Sequence, residues 1–155
     1  MFQWLKSLFK MPEPSGPPQR IRSFSTSDQP ITRGALVVDQ DAWRAESKEK
    51  QTFLLFELPN PGVEQCILTY RAKLKTEDLQ GRAYLEMWCR LPARGEFFSK
   101  GFHHATKGTN NWASCETPFY LKKGQKPDLV KLNLVVEGRG KAWIKEIELL
   151  YTPLK

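Results

Sequence analysis

Period-two alternation dominates the chain from residue 66 onward. In "EQCILTYRAKLKT", Cys66, Leu68, Tyr70, Ala72 and Leu74 alternate with Ile67, Thr69, Arg71 and Lys73. Successive side chains of a strand point to opposite faces, so one face here is apolar and the other mostly polar. "RAYLEMWCRL" repeats the pattern, with Ala83, Leu85, Met87, Cys89 and Leu91 set against Tyr84, Glu86, Trp88 and Arg90. In "DLVKLNLVVEG", Val130, Leu132, Leu134 and Val136 alternate with Lys131, Asn133, Val135 and Glu137. "TFLLFELP" predicts a short apolar strand ended by the turn cluster Pro59-Asn60-Pro61-Gly62. "KAWIKEIELLY" predicts a final strand whose apolar residues slip phase, which points to a bulge. "KTEDLQGR" predicts one helical turn or a loop. Strands separated by turn residues, with no convincing internal helix, predict an all-β antiparallel sandwich over residues 33–155.

Two segments precede it. In "MFQWLKSLFKM", Phe2, Leu5 and Phe9 fall at helical spacing, as do Trp4, Leu8 and Met11, with Lys6 and Lys10 on the other side. Residues 1–11 therefore predict a short amphipathic helix, marginal alone in water. Its face of Phe2, Trp4, Leu5, Leu8 and Phe9 needs a surface: its own domain, a protein partner or a bilayer interface. Residues 12–32 hold Pro12, Pro14, Pro17 and Pro18, which forbid helix and favour extended chain, so this stretch predicts a tether or extended arm.

Composition narrows the picture. With 40% hydrophobic and 12% aromatic residues in 155, one folded domain is expected rather than global disorder. No apolar run reaches the about 18 residues of a membrane span. No secretory signal is legible at the N-terminus, and three widely spaced cysteines suit a reducing compartment. The expected location is cytoplasmic, with a peripheral membrane surface as the alternative. The net charge of +7 favours anionic partners, an acidic lipid surface among them. The cations are scattered, and no specific nucleic-acid partner is expected.

Catalytic chemistry finds little support. His103 and His104 are adjacent and point apart on an extended chain, so they are poorly placed to share a metal. No nucleophile elbow, phosphate loop or paired-cysteine motif occurs. Glu146 and Glu148 share a strand face, where a surface salt-bridge role is expected. The chain is read as a non-enzyme, with no cofactor and no metal.

"AYLEMWCRLPARGEFFSKG" and "GTNNWASCETPFYLKKGQKPDLVKLNLVVEGRGKAWIKEIELL" together resemble the galactose-binding-like jelly-roll domains, which include many carbohydrate-binding modules and uncharacterised bacterial domains. The resemblance lies in a Gly-Thr followed by a Trp, a Pro-Phe-x-Leu segment, a Lys-x-Asn-x-x-x-Glu-Gly strand and a final Trp-Ile strand. It covers about residues 35–152 and implies the sandwich fold; its functions range from sugar binding to protein contacts and purely structural roles. Calcium-bearing members carry adjacent aspartates after the final Trp-Ile. Here Lys145 and Glu146 follow Trp143-Ile144, so no structural calcium is expected there.

In such a jelly roll the second face of the strands can form a shallow concave surface. If the three alternating strands share a sheet, their outward sets converge. The candidate ligand residues are Arg71, Tyr84, Glu86, Trp88, Lys131 and Asn133. An aromatic ring offers a sugar a flat apolar platform, and the polar groups supply hydrogen bonds to hydroxyl pairs. Two alternatives stand beside a glycan partner. Arg71, Glu86 and Lys131 could form a cross-strand charge ladder. Trp88 could be covered by the N-terminal arm or by a protein partner, which would make the chain an accessory subunit of a larger assembly.

Overall fold

The computed structural model describes residues 13–155, so the helix expected at residues 1–11 lies outside the described residues. The strands are β1 (Gln19–Phe24), β2 (Leu36–Asp39), β3 (Ala42–Ser47), β4 (Gln51–Pro59), β5 (Cys66–Leu91), β6 (Gly95–Lys100), β7 (Thr106–Leu121) and β8 (Leu129–Pro153). A single 3-10 turn, Phe102–His104, joins β6 to β7. Every strand pairing is antiparallel.

Two long strands organise the molecule. "EQCILTYRAKLKT" and "RAYLEMWCRL" are not separate strands; with "KTEDLQGR" between them they form the continuous β5. The two C-terminal strands likewise merge into β8. β5 and β8 pair along nearly their whole length, from Cys66 opposite Pro153 to Arg90 opposite Leu129. The pair bends where Gly81 faces Gly138. A Cβ on Gly81 would lie 1.8 Å from the Glu137 carbonyl oxygen, and one on Gly138 would lie 2.0 Å from that of Gln80. Only glycine allows the two backbones to approach this closely.

The bend folds the sheet into two layers. In the first, β7 and the N-terminal half of β5 lie beside the C-terminal half of β8, whose other edge carries β1 and β3, with β2 beyond β3. In the second, β6, the C-terminal half of β5, the N-terminal half of β8 and β4 follow in order. The layers share one core: Leu68, Leu74 and Ile147 from the first meet Leu85, Met87, Leu132 and Phe53 from the second. All five apolar-phase residues of "RAYLEMWCRL" are buried, as the alternation predicts.

The stretch read as a tether or extended arm carries β1, which pairs with β8 between Gln19–Tyr151 and Phe24–Ile147. Phe24 enters the core and stacks on Phe56 at 4.1 Å. The bulge expected in the last strand falls at Glu146, where φ is +53° and the β5–β8 register shifts. Phe97 and Phe98 are both exposed, by 43% and 54%, because β6 is an edge strand pairing with β5.

Candidate functional site

The outer face of the second layer collects most of the predicted residues. Register places Glu86 between Asn133 on β8 and Lys100 on β6, and Trp88 between Lys131 and Phe98. Tyr84 lies one step further along, opposite Val135. Five of the six candidates, Tyr84, Glu86, Trp88, Lys131 and Asn133, therefore share one surface.

Arg71 does not join them. It sits before the bend, so its side chain lies on the outer face of the first layer. There it binds Glu148 Oε1 through Nε at 2.9 Å and Nη2 at 2.5 Å. Arg20 approaches the other oxygen of Glu148 at 3.2 Å, and Lys73 pairs with Glu146 at 3.2 Å. The acidic pair Glu146/Glu148 thus takes the salt-bridge role expected of it. Lys75 lies on this same face over the Trp143 ring at 4.4 Å, with Trp112 beyond at 5.4 Å.

The neighbours of Glu86 differ from the expected Arg71 and Lys131. Its Oε1 accepts hydrogen bonds from Trp88 Nε1 at 2.9 Å and from Asn133 Nδ2 at 3.0 Å. Its Oε2 faces Lys100 Nζ at 4.0 Å and accepts no hydrogen bond among the described residues. Lys131 instead pairs with Glu96 at 2.8 Å. Glu86 is 7% exposed and Asn133 3%, so the carboxylate is positioned by two neutral donors at the floor of the face. The Trp88 ring sits 5.2 Å from that of the exposed Phe98, which makes an aromatic edge beside the carboxylate.

Tyr84 is covered. It is 1% exposed, with Phe102 packed edge-on at 4.8 Å and the Arg82 guanidinium 4.3 Å from the Phe102 ring. It cannot present its ring as a platform. Its hydroxyl donates to Glu137 Oε2 at 2.9 Å, and Arg82 Nε donates to Glu137 Oε1 at 2.8 Å. The Arg82 hydrogen bond, assisted by that of Tyr84, holds the Glu137 carboxyl below its ordinary range. Burial, then the bond to Glu137, pushes the Tyr84 phenol far above its own.

Sequence reasoning missed Lys100, Arg82 and Phe102. Lys100 was recoverable from the alternation of Phe98 and Lys100 in "GEFFSK"; Phe102 was not, because it lies on the 3-10 turn outside any periodic segment. His103 and His104 lie on that turn, and His104 Nδ1 accepts from the Glu116 amide at 3.1 Å. Among the described residues no group of three or more His, Cys, Asp or Glu side chains is arranged to hold a metal ion. Phe2, Trp4, Leu5, Leu8 and Phe9 lie outside the described residues.

No protein-family model matches the sequence, and no curated protein does. Solved structures match in fold. The CBM22-1 xylan-binding domain of Paenibacillus barcinonensis Xyn10C superposes with a TM-score of 0.59 at 10% identity, over 91% of this chain and 99% of that one. A family 30 carbohydrate-binding module gives 0.52 at 12% identity, over 86% and 98%. The CBM22-1–GH10 modules of Clostridium thermocellum Xyn10B, complexed with xylohexaose, give 0.51 at 6% identity, over 86% of this chain and 25% of that one. The fold is that of a carbohydrate-binding-module-like β-sandwich.

Proposed function

We propose that the chain is a non-catalytic glycan-binding module that reads its ligand on the outer face of the second layer. The observation that carries this reading is the Glu86 carboxylate, fixed by Trp88 and Asn133 with Oε2 left to accept. Sugar hydroxyls are donors as well as acceptors, so an oriented carboxylate beside an aromatic edge suits them. Trp88 and Phe98 supply apolar surface for the C–H face of a ring, and Lys100 and Lys131 supply donors at either side. The fold likeness to a domain named for xylan binding and to CBM22-1–GH10 modules complexed with xylohexaose supports the same ligand class.

A glycan array and affinity electrophoresis with plant and microbial polysaccharides test the proposal. The full chain is expected to be retarded by at least one polysaccharide, and Trp88→Ala to lose that retardation while remaining cooperatively folded. Absence of retardation by every polysaccharide, or retention of it in Trp88→Ala, would refute the reading.

A further inference from the structure

One end of the sandwich holds an open cavity of about 510 Å³ between the loops at residues 60–65, 92–94 and 122–128. This size lies within the roughly 300–1,000 Å³ of small-molecule sites. The loops are tied to each other and to the sheet by backbone bonds. The Asn60 amide donates to the Asp128 carbonyl at 2.9 Å, and the Asp128 amide to that of Arg90 at 3.0 Å. The Gly124 amide donates to the Glu64 carboxylate at 2.7 Å.

The charge at this end is unbalanced. Arg94 and Lys126 line the cavity, and Lys122 and Lys123 stand on the same loop as Lys126. None of the four has a carboxylate within 4.0 Å among the described residues, whereas twelve other cations do. The carboxylate that lines the cavity, Asp128, is engaged by Arg90 Nε at 2.8 Å. Buried Leu91 and Pro127 add apolar wall, and the amides of Asn60 and Gln125 add polar groups.

We propose that this cavity is a second binding site, which takes the anionic group of an acidic sugar. The cations would hold the carboxylate, and the apolar wall with the two amides would hold the ring. The sugar part of this proposal rests on the glycan-binding reading; the anion part rests on the loops themselves.

Full-length ¹⁵N-labelled protein is titrated with sodium glucuronate, with glucose plus matched sodium chloride, and with sodium sulfate. Glucuronate is expected to give saturable amide shifts at Asn60, Arg94 and residues 124–126, with none from glucose. The exposed variants Arg94→Gln and Lys126→Gln should each weaken this binding by about threefold to fivefold, and Trp88→Ala should leave it unchanged. Glucuronate that leaves these amides unmoved, or glucose that moves them equally, overturns the site. Sulfate that binds as tightly as glucuronate overturns its sugar component. The two proposals fail separately: loss of the loop response leaves the Trp88 face untouched, and a Trp88 face that binds no polysaccharide leaves the glucuronate titration intact.

Discussion

Tyr70 and Asn133 stand 63 positions apart in the chain, yet the Tyr70 hydroxyl donates to the Asn133 carbonyl at 3.1 Å. The bond crosses the core, because Tyr70 points inward from the first layer and Asn133 belongs to the second. Burial pushes the Tyr70 phenol far above its ordinary range, so it remains a neutral donor. The Asn133 side chain meanwhile donates to Glu86 on the outer surface, so this residue links the interior to the candidate ligand face. Tyr70→Phe keeps the ring and removes the donor. It is expected to lower stability by about 1 to 2 kcal/mol, read from urea denaturation with an unchanged m-value.

The glycine pair at the bend gives a harsher outcome. A side chain at Gly81 would meet the Glu137 carbonyl, and one at Gly138 the Gln80 carbonyl; neither neighbour is a flexible side-chain end that could move aside. Gly81→Ala and Gly138→Ala should each cost at least about 3 kcal/mol or fail to yield folded protein. Gly62→Ala is the control. Its φ is +76° but nothing lies within 4 Å of the added carbon, so its cost should be about 1 kcal/mol. Thermal melting of the three variants checks the ranking.

Period two carried the sequence reading as far as the core, since Leu85, Met87, Leu132 and Leu134 all lie where alternation places them. It could not carry the reading through the bend. Alternation says which side chains share a side of a strand, but a strand that folds over has two outer surfaces. Arg71 and Glu86 are both outward on β5 and nonetheless lie on different layers. "KTEDLQGR" looked like a break because its turn-forming residues serve the kink at Gly81, where β5 stays paired with β8 through a register shift between Glu77 and Gln80. Tyr84 failed for another reason. Its cover, Phe102, arrives from a short turn through tertiary packing, which a local pattern does not encode.

The Arg82–Glu137–Tyr84 cluster predicts a pH dependence. Its partners lower the Glu137 pKa relative to the unfolded chain, so the cluster contributes stability that is present above the unfolded carboxylate value of 4.5. That contribution is lost as the pH falls through the lower folded value. Glu137→Gln has no carboxylate to protonate. Between about pH 5 and pH 2 it should therefore lose less stability than the wild type, as urea midpoints across that range would show. Equal losses would mean that the cluster is not coupled to folding.

The thiols report on the integrity of the core. Burial pushes Cys66 up to about 11 and Cys89 up to about 12, and it raises Cys115 as well. All three are buried and free. Reaction requires the thiolate, so none should be modified by a disulfide reagent at about pH 8 in the native state. All three should react in denaturant. Because the folded values lie above the unfolded 9.0, this stabilisation is full below that value and fades as the pH rises through the folded ones.

The division between the two outer faces makes the last prediction. Arg71 is engaged by Glu148 on the first layer, away from Trp88 and Glu86. If the glycan lies on the second layer, Arg71→Ala should leave polysaccharide retardation unchanged, with a stability cost below about 1 kcal/mol for an exposed pair. Glu86→Gln preserves the shape of the side chain. It replaces one carboxylate oxygen by a donor, which forces the amide either to lose the Trp88 and Asn133 bonds or to present N–H where Oε2 would accept. It should weaken binding by about tenfold or more, the scale of one hydrogen bond to a charged group. Affinity electrophoresis of the two variants beside the wild type decides the matter: loss in Arg71→Ala with retention in Glu86→Gln would move the site to the first layer.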